Sequence, residues 1–271
     1  MRSILLHIDT DPGLEARLQA ALDIARAMDG HLICLQTISY DIAVPGDIYG
    51  SMVGDVIPVL RENANKLRDK VTARLAGEDV RWDWRQEQGP SRESLLGWAS
   101  LADLVLAGAH DPFGSARAPA PLLGDLVVHG STPVLVMPDA ARSFDVAGTA
   151  IVGWNGSIEA AHALRMATPL LARASSVVLA TVAEKRDNRE FDLPPLDGAE
   201  YLSRHGIECE IVELPLGAET VADTLTDGAL RRRASLLVIG GYGRSRMVET
   251  VFGGVTRKLL SSPPIPILTA H

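Results

Sequence analysis

The chain has 271 residues, 46% hydrophobic and 22% charged, with a formal net charge of −8. That length suits two domains of ordinary size. The acidic balance argues against a general nucleic-acid binder, no apolar run reaches the ~18 residues of a membrane span, and two cysteines are too few for a disulfide framework or a zinc site.

The opening "MRSILLHIDTD" has a short apolar core before Asp9 and Asp11. It reads as a first strand and not as a signal peptide, so a reduced, cytoplasmic protein is expected. Leu14, Leu18, Ala21, Leu22, Ala25 and Met28 then recur at spacings of three and four, which predicts a helix with one apolar stripe. Residues 31–38 predict a second strand, 53–75 a long amphipathic helix, and the alternating 80–84 a third strand with Trp82 and Trp84 on one packing face. The apolar runs 103–108 and 132–137 complete five strands. A polar link follows at 139–148, dividing the chain into units at 1–140 and 149–271. The second unit opens on "AIVGWN", ending in Asn155, and continues with a helix and a strand at 176–183. Residues 184–198 are charged and proline-containing and read as a mobile loop. A short helix near 199–205, the alternating "IECEIVEL", the apolar run 235–240 and the closing strand 265–270 complete the unit. "RRR" at 231–233 is a solvated helix end, where cations complement the dipole.

The two units repeat. Each strand of the first has a counterpart offset by about 146 residues at the start and about 132 at the end, the drift falling in the middle loops. Strands alternating with helices imply a parallel sheet covered on both faces. The closing strands 132–137 and 265–270 are short, apolar and last in their units, a poor composition for a bare edge in water. Each is therefore expected to be covered by a partner along its open edge. Pro133 and Pro266 stand at the strand starts, where a missing N–H does least harm.

The stretch "IGGYGRSRMVETVFGGVTRKLL" carries the chemistry. Gly240 ends a predicted strand, and ligands of open parallel sheets sit beyond such ends. Glycines admit a phosphate close to the backbone N–H groups, and Gly253-Gly254 opens a helix whose dipole favours an anion. There is no P-loop, and the position after a fourth strand does not match a dinucleotide fingerprint. From the residues alone, turn and capping roles explain these glycines equally well.

The spacing Gly240-x2-Gly243-x9-Gly253, followed by Gly254-Val255-Thr256, resembles the nucleotide loop of the universal stress protein family, G-x2-G-x9-G-[S/T]. "IVGWNGSIEAAHAL" is similar to that family's opening strand and helix, and "TPVLVM" and "PIPIL" to its last strand. The resemblance spans nearly the whole chain as two copies. In single-domain relatives the last strand pairs across a two-fold axis with its copy, so the resemblance implies that Val134–Val136 pairs antiparallel with residues 267–269, making each chain a pseudo-dimer that is a monomer or a loose homodimer in solution. It implies two five-stranded, Rossmann-like α/β domains of the adenine nucleotide alpha-hydrolase type, and a stress-response protein that binds ATP or another adenine nucleotide, with Mg²⁺. By position, Asn155 faces the nucleoside, where many ATP-binding members have Asp; being neutral, it is a poorer metal ligand. Val182 offers backbone groups to adenine, and Gly240, Gly243, Gly253, Gly254 and Val255 wrap ribose and phosphates. Gly254 replaces the usual Ser or Thr, so Thr256 is the candidate hydroxyl.

The first unit has Ala120-Pro121 in place of Gly253-Gly254 and Asp111 in place of Gly243, so it is read as a non-binding partner, and Asp9 as a weak candidate contact. No general base stands out, so slow hydrolysis at most is expected. His7 and His110 are read as edge or core residues, and Cys34 as buried and inert. The alternative reading is a scaffold without nucleotide that acts through protein partners.

Overall fold

The computed structural model describes residues 1–39, 49–109, 119–183, 193–216, 220–241 and 254–271, with the side chains of residues 49–56 excepted. In the first half β1 (Ser3–Ile8), α1 (Leu14–Met28), β2 (His31–Ile38), α2 (Tyr49–Leu75), β3 (Arg81–Gln88), α3 (Ser91–Ala99), β4 (Leu104–Leu106), α4 (Pro121–His129) and β5 (Val134–Val136) follow in order. The second half repeats this as β6 (Thr149–Gly153), α5 (Ile158–Leu171), β7 (Ser176–Ala183), α6 (Pro195–Arg204), β8 (Cys209–Pro215), α7 (Val221–Arg231), β9 (Leu236–Gly240), α8 (Gly254–Ser261) and β10 (Ile267–Ala270).

All these strands form one ten-stranded sheet, ordered β3-β2-β1-β4-β5-β10-β9-β6-β7-β8. Within each half every pairing is parallel; across the seam β5 and β10 run antiparallel, with Ile267 opposite Val136, Leu268 opposite Leu135 and Thr269 opposite Val134. That is the register expected from the two closing strands. The prolines before them act as acceptors: Pro133 O receives Val105 N–H and Pro266 O receives Leu237 N–H.

Alternate residues of the central strands feed two apolar layers. Ile4, Leu6, Leu135, Val152, Val238 and Leu268 pack with α1, α2, α5 and α6; Leu5, Val134, Val136, Ile151, Ile239 and Ile267 pack with α3, α4, α7 and α8. Strands buried on both faces need apolar residues at every position, which is why their sequences read as unbroken runs.

Among the element ends that differ from the sequence reading, two have a plain physical cause. β3 extends through the polar Gln88 because β2 offers partners for its whole length, from His31↔Arg81 to Ile38↔Gln88, and an edge strand tolerates charge. The loop expected over 184–198 ends earlier: Pro195 starts α6, a favoured first helical residue. Residues 184–192 lie outside the described residues. The polar link between the halves also carries an anchor. Phe144 is buried against α1, and its N–H donates to Asp23 Oδ2 at 2.8 Å.

The halves diverge at their strand ends. In the first, Arg17 of α1 is only 1% exposed and donates to both Asp11 carboxylate oxygens, at 2.7 and 2.6 Å. Gly13 N–H adds a third bond to Asp11 at 2.9 Å. Arg17 leans on Gly108, just past β4, where a Cβ would lie 3.0 Å from its Nη1. Burial pushes the Asp11 carboxyl up, but the Arg17 hydrogen bonds and charge outweigh it and hold it below its ordinary value. His7, buried in β1, is lowered to about 4, first by burial and then by the Arg17 charge.

Two outcomes follow. Asp11→Asn leaves the guanidinium buried and half-paired, so unfolding free energy at neutral pH should drop by about 3–5 kcal/mol; a change within error in urea melts would remove the pair from the first half's core. For His7 the unfolded chain takes up a proton near 6.5 that the folded chain binds only near 4. Stability should therefore fall as pH drops between those values, by on the order of 3 kcal/mol from this group. His7→Leu should flatten that part of the pH–stability curve relative to wild type.

Candidate functional site

In the second half the strand order reverses between β6 and β9, so their C-terminal ends flank a crevice. Trp154 N–H donates to Ala180 O at 2.8 Å, the last step of the β6–β7 ladder. Backbone groups along a strand alternate sides. The N–H and C=O of Val182, two residues on from Ala180, therefore point to the β6 side beyond the end of β6. The Val182 side chain is 8% exposed and belongs to the apolar layer, so what it presents at the edge is backbone.

Asn155 stands exposed past the end of β6, and its Oδ1 accepts the Ser157 N–H at 3.1 Å. Ser157 caps α5, its Oγ accepting Ala160 N–H at 3.2 Å. With its carbonyl engaged in this turn, Asn155 presents its amide NH₂, a donor suited to ribose or phosphate oxygen and not to a metal.

Gly240, the last residue of β9, is where α5 meets the sheet. A Cβ there would lie 2.7 Å from both Ala160 N and the Glu159 carbonyl carbon. The absent side chain is required by helix–strand contact, a role the glycine-loop reading did not separate from phosphate binding. Thr256, in the first turn of α8, is 5% exposed, and its Oγ1 donates to Gly240 O at 3.4 Å. The hydroxyl proposed for a ligand thus ties α8 to the end of β9. Gly254 and Val255 begin the same helix, and their N–H groups have no acceptor within it. A Cβ on Gly254 would meet nothing within 4 Å among the described residues.

The structure therefore brings Asn155, Val182, Gly240, Gly254, Val255 and Thr256 to one edge. Gly243 and Gly253 lie outside the described residues, as do His110 and Asp111 of the first half. Pro121 opens α4 as Gly254 opens α8; the loops before these helices lie outside the described residues. Cys34 is buried, and burial pushes its thiol up to about 12.

Sequence reasoning missed three features. Trp154 donates from its indole to Leu193 O at 3.0 Å, and Leu193 N–H donates to Gly156 O at 2.9 Å, tying the chain before α6 across the strand end. Glu159 places a carboxylate in the first turn of α5, with a buried Oε2 that has no hydrogen-bond partner among the described residues. That charge complements the α5 dipole, leaving the α8 terminus as the positive end available to a phosphate. On α8, Lys258 Nζ lies 2.6 Å from Asp223 Oδ2 of α7. Hydrogen bonds from Lys258 and Thr220 lower the Asp223 carboxyl to about 2. Spacing alone signals none of the three, since each depends on contacts between separate elements.

Mg²⁺ finds little here. Among the described residues no group of three or more His, Cys, Asp or Glu is placed to hold a metal ion. Nor is any described helix long and apolar enough to cross a membrane.

No protein-family model matches the chain, and no curated protein does. Among solved structures, a universal stress protein from Archaeoglobus fulgidus DSM 4304 is 15% identical, with 98% of this chain and 97% of that one covered and a TM-score of 0.73. A putative universal stress protein from Pseudomonas aeruginosa UCBPP-PA14 is 18% identical over 100% of this chain and 93% of that one, with a TM-score of 0.57. A functionally unknown protein from Pseudomonas aeruginosa PAO1 is also 18% identical, over 100% and 92%, with a TM-score of 0.56. Identities this low speak to architecture: the chain has the tandem fold of the universal stress proteins, two five-stranded copies joined into one sheet.

Proposed function

We propose that the chain is a cytoplasmic stress-response protein that binds ATP or another adenine nucleotide in its second half, at one site per chain. The supporting observation is the edge where β6, β7 and β9 end. There the Val182 backbone points to the β6 side, Asn155 stands exposed, and α8 begins at Gly254, whose N–H and that of Val255 have no acceptor within the helix and whose built Cβ meets none of the described residues within 4 Å. Adenine takes the Val182 backbone, ribose lies near Asn155, and the phosphates lie at Gly254 and Val255; the resemblance assigns Gly243 and Gly253 to the same phosphate role. Binding serves as a signal or a stabiliser to which protein partners respond.

The first half, residues 1–140, acts as a partner without a site of its own, and residues 149–271 form the binding unit. At the matching switch point of the first half the Arg17–Asp11 pair fills the space between strand ends and helix. Pro121 there also removes an N–H from the helix start that would face a phosphate.

Calorimetric titration with ATP, ADP and AMP, each with and without Mg²⁺, tests the reading. Saturation is expected at one nucleotide per chain, and absence of heat with all three would sink the proposal. Gly243→Asp should reduce affinity by at least about 100-fold by setting a carboxylate against phosphate at short range. Its melting temperature should stay close to wild type without ligand. Unchanged ATP affinity in this variant would remove the loop from the site.

A further inference from the structure

Gly241, one residue beyond β9, is buried at the seam between the halves. Its N–H donates to Ala270 O at 2.7 Å, and His271 Nδ1 lies 3.1 Å from its carbonyl oxygen. A Cβ built on Gly241 would stand 2.5 Å from Val127 Cγ1, 3.1 Å from Thr269 Oγ1 and 3.3 Å from Ala270 O. The first distance is far inside van der Waals contact. Its φ lies outside the left-handed region, so space alone excludes a side chain.

Val127 sets that limit, and it belongs to the other half. It lies on α4, is 2% exposed and sits among Leu123, Leu126 and Val134 in the apolar layer. The antiparallel seam brings α4 to this place, because the C-terminal edge of the second half adjoins the N-terminal edge of the first. The fold itself does not demand glycine here. By the repeat, Ala109 holds the corresponding position of the first half, and it is buried with its methyl group accommodated.

We infer that Val127 is a positioning residue for the nucleotide site: the half without a glycine loop presses on Gly241 and so fixes the end of β9 from which the other half's loop departs. This rests on the nucleotide reading above. Its consequence is that affinity in the second half depends on packing in the first, and that binding is felt in return at α4.

The test is a double-mutant cycle with a fluorescent ATP analogue, using full-length wild type, Gly241→Ala, Val127→Ala and the double variant. Gly241→Ala should weaken binding about tenfold or more, and Val127→Ala, which withdraws the contact that holds Gly241, by at least about fivefold. The double variant, in which the lost valine methyls make room for the added one, should return to within about threefold of wild type. A double variant as weak as Gly241→Ala, or a Gly241→Ala or Val127→Ala protein that binds like wild type, would overturn the inference while leaving nucleotide binding intact. Failure of wild type to bind any nucleotide would defeat both readings together. Should Gly241→Ala not fold, hydrogen exchange on wild type decides. Saturating ATP should slow exchange of the α4 amides around Val127, and an α4 unchanged by ATP would refute the coupling.

Discussion

Everything in this molecule depends on how two short apolar strands escape water. Val134–Val136 and Ile267–Ala270 are fully or nearly fully buried, with no charged side chain between them. Alone, each would end a five-stranded sheet with a row of unpaired backbone groups. Pairing them antiparallel satisfies those groups and makes two half-sheets one continuous surface. The outer edges are then β3 and β8, whose exposed charged residues discourage further pairing.

That seam has a geometric consequence. Because β5 and β10 run antiparallel, the C-terminal strand edges of the two halves point in opposite directions. Each therefore adjoins the back edge of the other half. Gly241 meets Val127 for this reason, and its packing cannot be understood within the second half alone.

The same scaffold has been completed in two ways at its switch points. In the second half α5 lies directly on β9, with only the Gly240 backbone between them. In the first half α1 carries Arg17 where α5 carries Ala163, and the guanidinium with Asp11 fills the gap. A buried pair of this kind is weak support for stability in itself, since desolvation offsets much of the attraction. What it does is occupy the volume at the strand ends with side chains already bonded to each other.

The sequence by itself determined the repeat and the parallel halves, because these follow from apolar runs and their alternation with amphipathic helices; the composition of the last strands showed that their edges need a partner, and the family resemblance implied the antiparallel join. It also pointed to the glycines after β9 and to Asn155. It did not disclose why Gly240 and Gly241 are glycines. One is pressed by the α5 backbone and the other by Val127, from elements far away in the chain. Nor did it show that the Thr256 hydroxyl turns inward to Gly240, or that Arg17, Asp11 and Gly108 converge. Periodicity reports which face of an element is buried, a local property of the chain. What that face meets is set by close packing between elements remote in sequence, and only the tertiary structure decides it.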